Sequence, residues 1–272
     1  MLEALKPDDY LPLVKAALAE DIGSGDATTL ALVPGDSFAM AVMVARDPLV
    51  MAGVDLALAA FQEVDERVEF GIEIFDGQLG GLGQAWLRVQ GPTRALLTAE
   101  RTALNFVQRL AGVATLTARF VEQVAGTGAE ILDTRKTTPG WRALEKYAVA
   151  CGGGTNHRVG LYDRVMIKDN HLAALDGDIA TAVALAREAS PELKIEVEAD
   201  TVEQARAAAE AGADIVLLDN MSCDQIREAI ELIDGRSETE ASGGVTLETV
   251  REIRSEERRV GKEGRSRWSP YH

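Results

Sequence analysis

The sequence predicts an α/β fold in two parts: a mixed α+β segment that leads into an incomplete barrel of fewer than eight parallel strands. Three observations predict it. From Ala129 onward, short apolar runs alternate with helical stretches, and such runs are buried on both faces of a parallel sheet. Each of five runs is followed at once by charged or glycine-rich residues, as where reactive groups gather at the carboxyl ends of parallel strands. Five strands are too few to close an eight-stranded barrel.

The first part opens with helical spacing from Pro7 to Ala19, through Leu11, Val14, Ala17 and Leu18. Pro12 fits only near the start of that helix. The glycines of Asp21-Ile-Gly-Ser-Gly-Asp-Ala-Thr-Thr29 predict a loop. A strand is expected over 38–46, a helix over 54–64, and an alternating strand over 84–90 that stops at Gly91-Pro92. A long helix is expected over 98–124, with Leu104, Val107, Leu110 and Ala111 on one face.

In the second part, strands are expected at 130–134, 164–167, 193–197, 214–218 and 240–242. Asp200 with Glu203 and Ser222 with Gln225 have capping-box spacing, and Gly212 and Gly235 sit where helices end. We divide the chain into 1–112, an N-terminal α/β domain; 113–253, the barrel domain carrying the active site; and 254–272, a tail. The tail holds six Lys/Arg against three acids, while the first 253 residues hold 22 basic and 41 acidic. Its sparse apolar content predicts a basic, disordered or non-native extension.

Composition excludes several classes. A formal net charge of −16 opposes a nucleic-acid or anionic-membrane binder. Two cysteines, Cys151 and Cys223, give neither a disulfide framework nor a four-thiolate zinc site. No run reaches 18 apolar residues, and the acidic N-terminus lacks a signal-peptide pattern. A cytoplasmic protein is expected.

The strand ends carry the chemistry. They present Asp133-Thr-Arg-Lys-Thr-Thr-Pro-Gly140, Lys168-Asp-Asn-His171, Glu196-Val-Glu198, Asp219-Asn220 and Ser242-Gly243-Gly244, with Cys151-Gly-Gly-Gly-Thr-Asn-His-Arg158 between the first two strands. Arg135, Lys136, Arg158 and Lys168, with His157, form a cationic set; Glu198 and Asp219 form an acidic one. Backbone N–H groups of Ser242-Gly243-Gly244, ahead of a helix expected near Thr246, suit a phosphate. The whole set suits a substrate with several carboxylates or phosphates, plus a sugar or Mg²⁺ held by acids. On an acidic protein, such a substrate needs a locally positive cleft.

The run Leu132-Asp-Thr-Arg-Lys-Thr-Thr-Pro-Gly-Trp141 through Val165-Met-Ile-Lys-Asp-Asn-His171 resembles the signature of quinolinate phosphoribosyltransferases. Supporting matches are 20–26, 99–106, 196–198, 218–220 and 240–245, so the likeness spans about 10–253. The resemblance implies an N-terminal α/β sandwich on an α/β barrel of the type II phosphoribosyltransferase kind, in a homodimer. It implies transfer of phosphoribosyl from phosphoribosyl pyrophosphate to quinolinate with decarboxylation, giving nicotinate mononucleotide, pyrophosphate and CO2, with Mg²⁺ as cofactor. Arg101, Arg135, Lys136, His157, Arg158 and Lys168 would line the quinolinate pocket, Arg101 being supplied by the neighbouring subunit. Glu198 and Asp219 would face the ribose and its Mg²⁺, which is held mainly by substrate. Ser242, Gly243 and Gly244 would lie at the phosphate end. Lys136, Lys168, Glu198 and Asp219 are the catalytic candidates.

Other readings stand beside these. Lys168 could form a Schiff base, as in an aldolase-type barrel. His157 could touch substrate or act behind it. Cys151 reads better as a packed thiol than as a nucleophile. Glu196 and Glu198 share one face of their strand, and the resemblance favours Glu198 for ribose. His171 reads as a polar loop residue. The sequence departs from the family after 253, where the family continues with a strand and a Thr-His-Ser-type loop. The expectation is therefore an open edge at 240–242. Such a chain could be a non-catalytic or differently specific relative, such as the molybdenum-transport-associated homologues.

Overall fold

The computed structural model describes residues 3–257 and 266–268. They form two compact units, one of residues 1–118 and 138–153, the other of 119–137 and 154–272. The segment 138–153 therefore departs from the division expected at residue 112. Its helix α5 (Arg142–Cys151) buries Leu144, Ala148 and Cys151 in the first unit's core.

The first unit begins with α1 (Pro7–Ile22), α2 (Ala27–Leu32), β1 (Phe38–Val44), β2 (Leu49–Val50) and α3 (Val54–Val64). It continues with β3 (Glu69–Ile72), β4 (Leu79–Gly80), β5 (Ala85–Pro92) and the long α4 (Thr93–Val124), whose last turns belong to the second unit. Part of the loop expected over 21–29 is α2, because the Asp26 side chain accepts the Thr29 N–H and caps a helix there. The main sheet is antiparallel in the order β1-β5-β3, and β2 pairs with β4. Leu56, Phe61, Leu87 and Leu110 are fully buried between α3, β5 and α4, each stabilising the fold by roughly 1.5–3 kcal/mol.

The second unit contains β6 (Glu130–Ile131), β7 (Val165–Ile167), α6 (Asp169–Ala173), α7 (Ile179–Ala189), β8 (Ile195–Ala199) and α8 (Val202–Glu210). Then follow β9 (Ile215–Asp219), α9 (Cys223–Ile233), β10 (Glu238–Ser242), α10 (Val250–Glu257) and β11 (Ser266–Trp268). Six strands make one parallel sheet in the order β6-β11-β10-β9-β8-β7. Ile195, Val197, Val216 and Leu218 are fully buried, the signature of strands covered on both faces. Strand β6 is shorter than expected because Leu132 only bridges Thr155 while the Asp133 N–H bonds the Thr155 carbonyl.

Three local expectations shift. The box at α8 is Thr201 with Gln204, one residue later than Asp200 with Glu203. That at α9 is Ser222 with Gln225, as expected. The last helix starts at Val250, because Thr246 and Thr249 bond each other in a turn before it.

The open edge at 240–242 is not found. Ser266–Trp268 lies between β10 and β6 and is parallel to both. Pairing in a ladder uses backbone groups, so a segment without apolar periodicity can fill a gap whose two unpaired edges invite it. The remainder of the basic tail, 258–265 and 269–272, lies outside the described residues.

Candidate active site

The carboxyl ends of the second unit's strands enclose a cavity of about 600 Å³. Arg135, Lys136, His157, Arg158, Lys168, Glu198, Asp219, Ser242, Gly243 and Gly244 all line it, so ten of the expected site residues converge on one space. Arg101 is not among the described lining residues. It is exposed on α4 of the first unit, one turn beyond the exposed Leu97.

One end of the cavity is strongly cationic. Arg135 and Arg158 approach closely enough to feel each other. Burial first, then the Arg135 charge, pull Arg158 below the usual guanidinium value. Two arginines close enough to repel favour an anion between them. Arg158 is held in place: Nη1 donates to the Arg164 carbonyl (3.3 Å) and Nη2 to Met166 Sδ (3.3 Å).

His157 sits under that end and is buried. Its backbone N–H donates to Asp133 Oδ1 at 2.9 Å, which ties the 152–158 loop to the end of β6. Its Nε2 lies 3.0 Å from Glu196 Oε2 and 3.3 Å from Glu240 Oε2. Burial opposes a charged ring, yet the bonds to the two glutamates outweigh it and raise the imidazole pKa above its ordinary value. Glu196 and Glu240 are themselves buried. Burial drives Glu240 up; for Glu196, His157 and Arg164 overcome the burial and hold it down.

His157, Glu196 and Glu240 have donor atoms close enough to share a metal ion. Arg164 fills that place instead, with Nη1 at 2.8, 3.1 and 3.3 Å from His157 Nε2, Glu196 Oε2 and Glu240 Oε1. Glu196 is thus bound within this cluster, and Glu198, two residues on, is paired with Lys168 Nζ. That ion pair commits Lys168 to a carboxylate, which fits a positioned cation better than a Schiff-base nucleophile.

The far end is built for an anion of another kind. Gly243 and Gly244 both have positive φ, and Ser242 Oγ is buried with no hydrogen-bond partner among the described residues. Asp219, at the end of β9, accepts from the Asn220 side-chain amide at 2.7 Å. Two other expectations resolve, one of them, the loop position of His171, as a correction. Cys151 is packed, and burial first of all pushes its thiol up to about 12, which removes it as a nucleophile. Gly152 is needed next to it, because a Cβ there would lie 2.7 Å from Thr117 Cβ. His171 lies in α6, where Nδ1 accepts the Lys168 N–H.

Sequence reasoning missed Arg164, Glu240 and Asp133 as parts of the site. The signal was present: Glu196 and Glu240 each lie two residues before a cavity residue of their own strand, hence on the same face. An acid facing inward from a buried strand requires a cation.

The comparisons agree with this geometry. Residues 26–111 match the model of the quinolinate phosphoribosyl transferase N-terminal domain, and 113–261 that of the C-terminal domain. A nicotinate-nucleotide pyrophosphorylase [carboxylating] of Mycobacterium leprae is 46% identical over 258 residues, covering 92% of this chain and 90% of that protein. A probable nicotinate-nucleotide pyrophosphorylase [carboxylating] of Bacillus subtilis is 45% identical over 232 residues, covering 85% and 80%. The solved nicotinate-nucleotide pyrophosphorylase of Francisella tularensis superposes with a TM-score of 0.91 at 33% identity, covering all of this chain and 95% of that one. With both domain models matched in order and relatives aligned along nearly their whole length, the chain belongs to the quinolinate phosphoribosyl transferase family.

Proposed function

We propose that the cavity binds quinolinate at its cationic end and phosphoribosyl pyrophosphate across its acidic and glycine-rich ends. The products are nicotinate mononucleotide, pyrophosphate and CO2. The observation that carries the reading is the pair Arg135–Arg158, whose like charges meet in a half-buried pocket. A planar dicarboxylate relieves that repulsion and takes two parallel bonds from each guanidinium.

In this reading Arg135, Arg158 and His157 hold the two carboxylates and aim the ring nitrogen at the ribose. Lys136 and Lys168 add positive charge along the path. The nitrogen's electron pair forms the bond to C1 of the ribose while the C1–O bond to pyrophosphate breaks. Glu198 and Asp219 stabilise the positive charge that develops at C1. The quaternised ring then accepts the electron pair left when the C–C bond to the adjacent carboxylate breaks and CO2 departs, and that carbon takes a proton. Orientation does most of this work, and no covalent nucleophile is needed.

The hard oxygen donors of Asp219, and of Glu198 once it exchanges Lys168 for the ion, would fit Mg²⁺, whereas the buried His157–Glu196–Glu240 cluster is filled by Arg164. When bound with the pyrophosphate, Mg²⁺ would neutralise the leaving group's charge. The buried, unpartnered Ser242 Oγ and the Gly243-Gly244 turn would receive the phosphate.

A homodimer completes the site in this reading. Phe38, Met40 and Val42 on β1 and Leu97 on α4 are exposed apolar residues of the first unit, and Arg101 stands one turn from Leu97. A second copy covering that face would receive Arg101 as a further cation for its quinolinate. Among the described residues no helix is long and apolar enough to cross a membrane. Neither cysteine forms a disulfide, in keeping with a reducing cytoplasm. The non-catalytic alternative is not favoured, since the cationic set is intact and the sheet edge is filled.

The deciding experiment measures nicotinate mononucleotide and CO2 formed from quinolinate and phosphoribosyl pyrophosphate, with nicotinate and nicotinamide as controls. Product from quinolinate alone supports the reading. Turnover of either control in its place, or of none of the three, overturns it.

A further inference from the structure

We propose that Arg164 is a positioning residue that sets the geometry of His157, and with it the affinity for the dicarboxylate. This rests on the function proposed above. Arg164 does not itself line the cavity, and its side chain is 12% exposed. Its backbone carbonyl accepts from Arg158 Nη1, a contact that any residue at this position would keep. Its side-chain Nη1 joins Glu196 Oε2, Glu240 Oε1 and His157 Nε2.

Charge balance explains why an arginine is required. Glu196 and Glu240 are two carboxylates almost wholly removed from water. Each needs a cation and hydrogen bonds to remain ionised there. Arg164 and His157 both reach one oxygen, Glu196 Oε2. The other oxygen, Glu196 Oε1, is buried without a hydrogen-bond partner among the described residues, so Glu196 is held through Oε2 alone. Without Arg164, the two buried glutamates lose the guanidinium that lies between them and His157, so the imidazole shifts toward them and leaves its place beneath the dicarboxylate. Lysine keeps the charge, but its flexible stem does not hold a nitrogen where the planar guanidinium holds Nη1.

The test compares wild type, Arg164→Met, Arg164→Lys and the charge-balanced double variant Arg164→Met/Glu240→Gln. Steady-state KM is measured separately for quinolinate and phosphoribosyl pyrophosphate, alongside Tm. Arg164→Met is expected to raise the quinolinate KM about tenfold or more while the phosphoribosyl pyrophosphate KM stays within about twofold. Arg164→Lys should fall between it and wild type. The double variant should recover Tm but not the quinolinate KM, and it carries the test if the single variant does not fold. A variant that loses Tm or active fraction with both KM values unchanged shows a structural role only and overturns the proposal. A wild type without quinolinate turnover overturns the function reading, and this inference falls with it.

Discussion

Gly243 and Asn220 are packed so closely that neither position tolerates an added atom between them. A Cβ on Gly243 would run into the Asn220 side-chain amide and lie 2.8 Å from the Asn220 backbone nitrogen. Gly243 has φ +90 and Asn220 φ +53, so two adjacent strand ends turn through left-handed backbone at one point. The Asn220 N–H bonds the Ser242 carbonyl, locking those turns together. Gly243→Ala should therefore strain the phosphate end by about 1–3 kcal/mol. The expected result is a raised KM for phosphoribosyl pyrophosphate with an unchanged KM for quinolinate. Equal effects on both would show that the turn does not belong to the phosphate site alone.

Arg135→Ala and Arg158→Ala test the opposite end. Each should leave one carboxylate of quinolinate unpaired and cost roughly 2–5 kcal/mol in kcat/KM. Both should fold, because removing either guanidinium relieves like-charge repulsion. Circular dichroism and Tm check folding; wild-type kinetics in either variant would refute the assignment.

Most of the site was legible because it lies at strand ends, where polar residues interrupt apolar runs and stand out in the sequence. What lay inside the strands was not. Glu196 and Glu240 are single acids within apolar runs, and their partners His157 and Arg164 come from elsewhere in the chain, so only the fold brings them together. The helix α5 was hidden for a related reason. It sits inside the most motif-like stretch, for which no helix was expected, and it packs as core, with Trp141 stacked on Phe106. Strand β11 carries no side-chain signal at all, because its place follows from backbone pairing.

The shared-site expectation has a complementation test. Arg101→Ala and Lys168→Ala chains should each be nearly inactive alone. If Arg101 crosses to the neighbouring subunit, mixed dimers regain activity, since one of the two hybrid sites carries both intact residues. Verified mixed dimers with no recovery would count against Arg101 acting in trans.

His157 gives a pH dependence of stability. Its pKa is raised in the folded protein, so folding favours the protonated ring. That contribution is complete below the unfolded imidazole value of about 6.5 and is lost as pH rises through the folded value. The Tm difference between wild type and His157→Gln should be largest in mild acid and shrink as the buffer becomes alkaline. A difference that grows with pH would mean the ring is neutral between its glutamates.

Ending the chain after Glu257 removes β11 and leaves β10 and β6 facing a gap. The lost pairing is a short ladder on each side, three residue pairs with β10 and two with β6. At about 1 kcal/mol for each net backbone hydrogen bond, the loss is of order 2–5 kcal/mol. It should appear as a lower Tm and a lower urea midpoint, with the antiparallel first unit retained. The exposed parallel edges should also promote association, seen as a concentration-dependent rise in light scattering. Both ends of the cavity should suffer, because β10 ends in Ser242-Gly243-Gly244 and β6 leads to Arg135, while Arg158, anchored by Met166 on β7, should be affected least. A truncated chain with unchanged Tm and unchanged KM for both substrates would show that Ser266–Trp268 contributes nothing to the sheet.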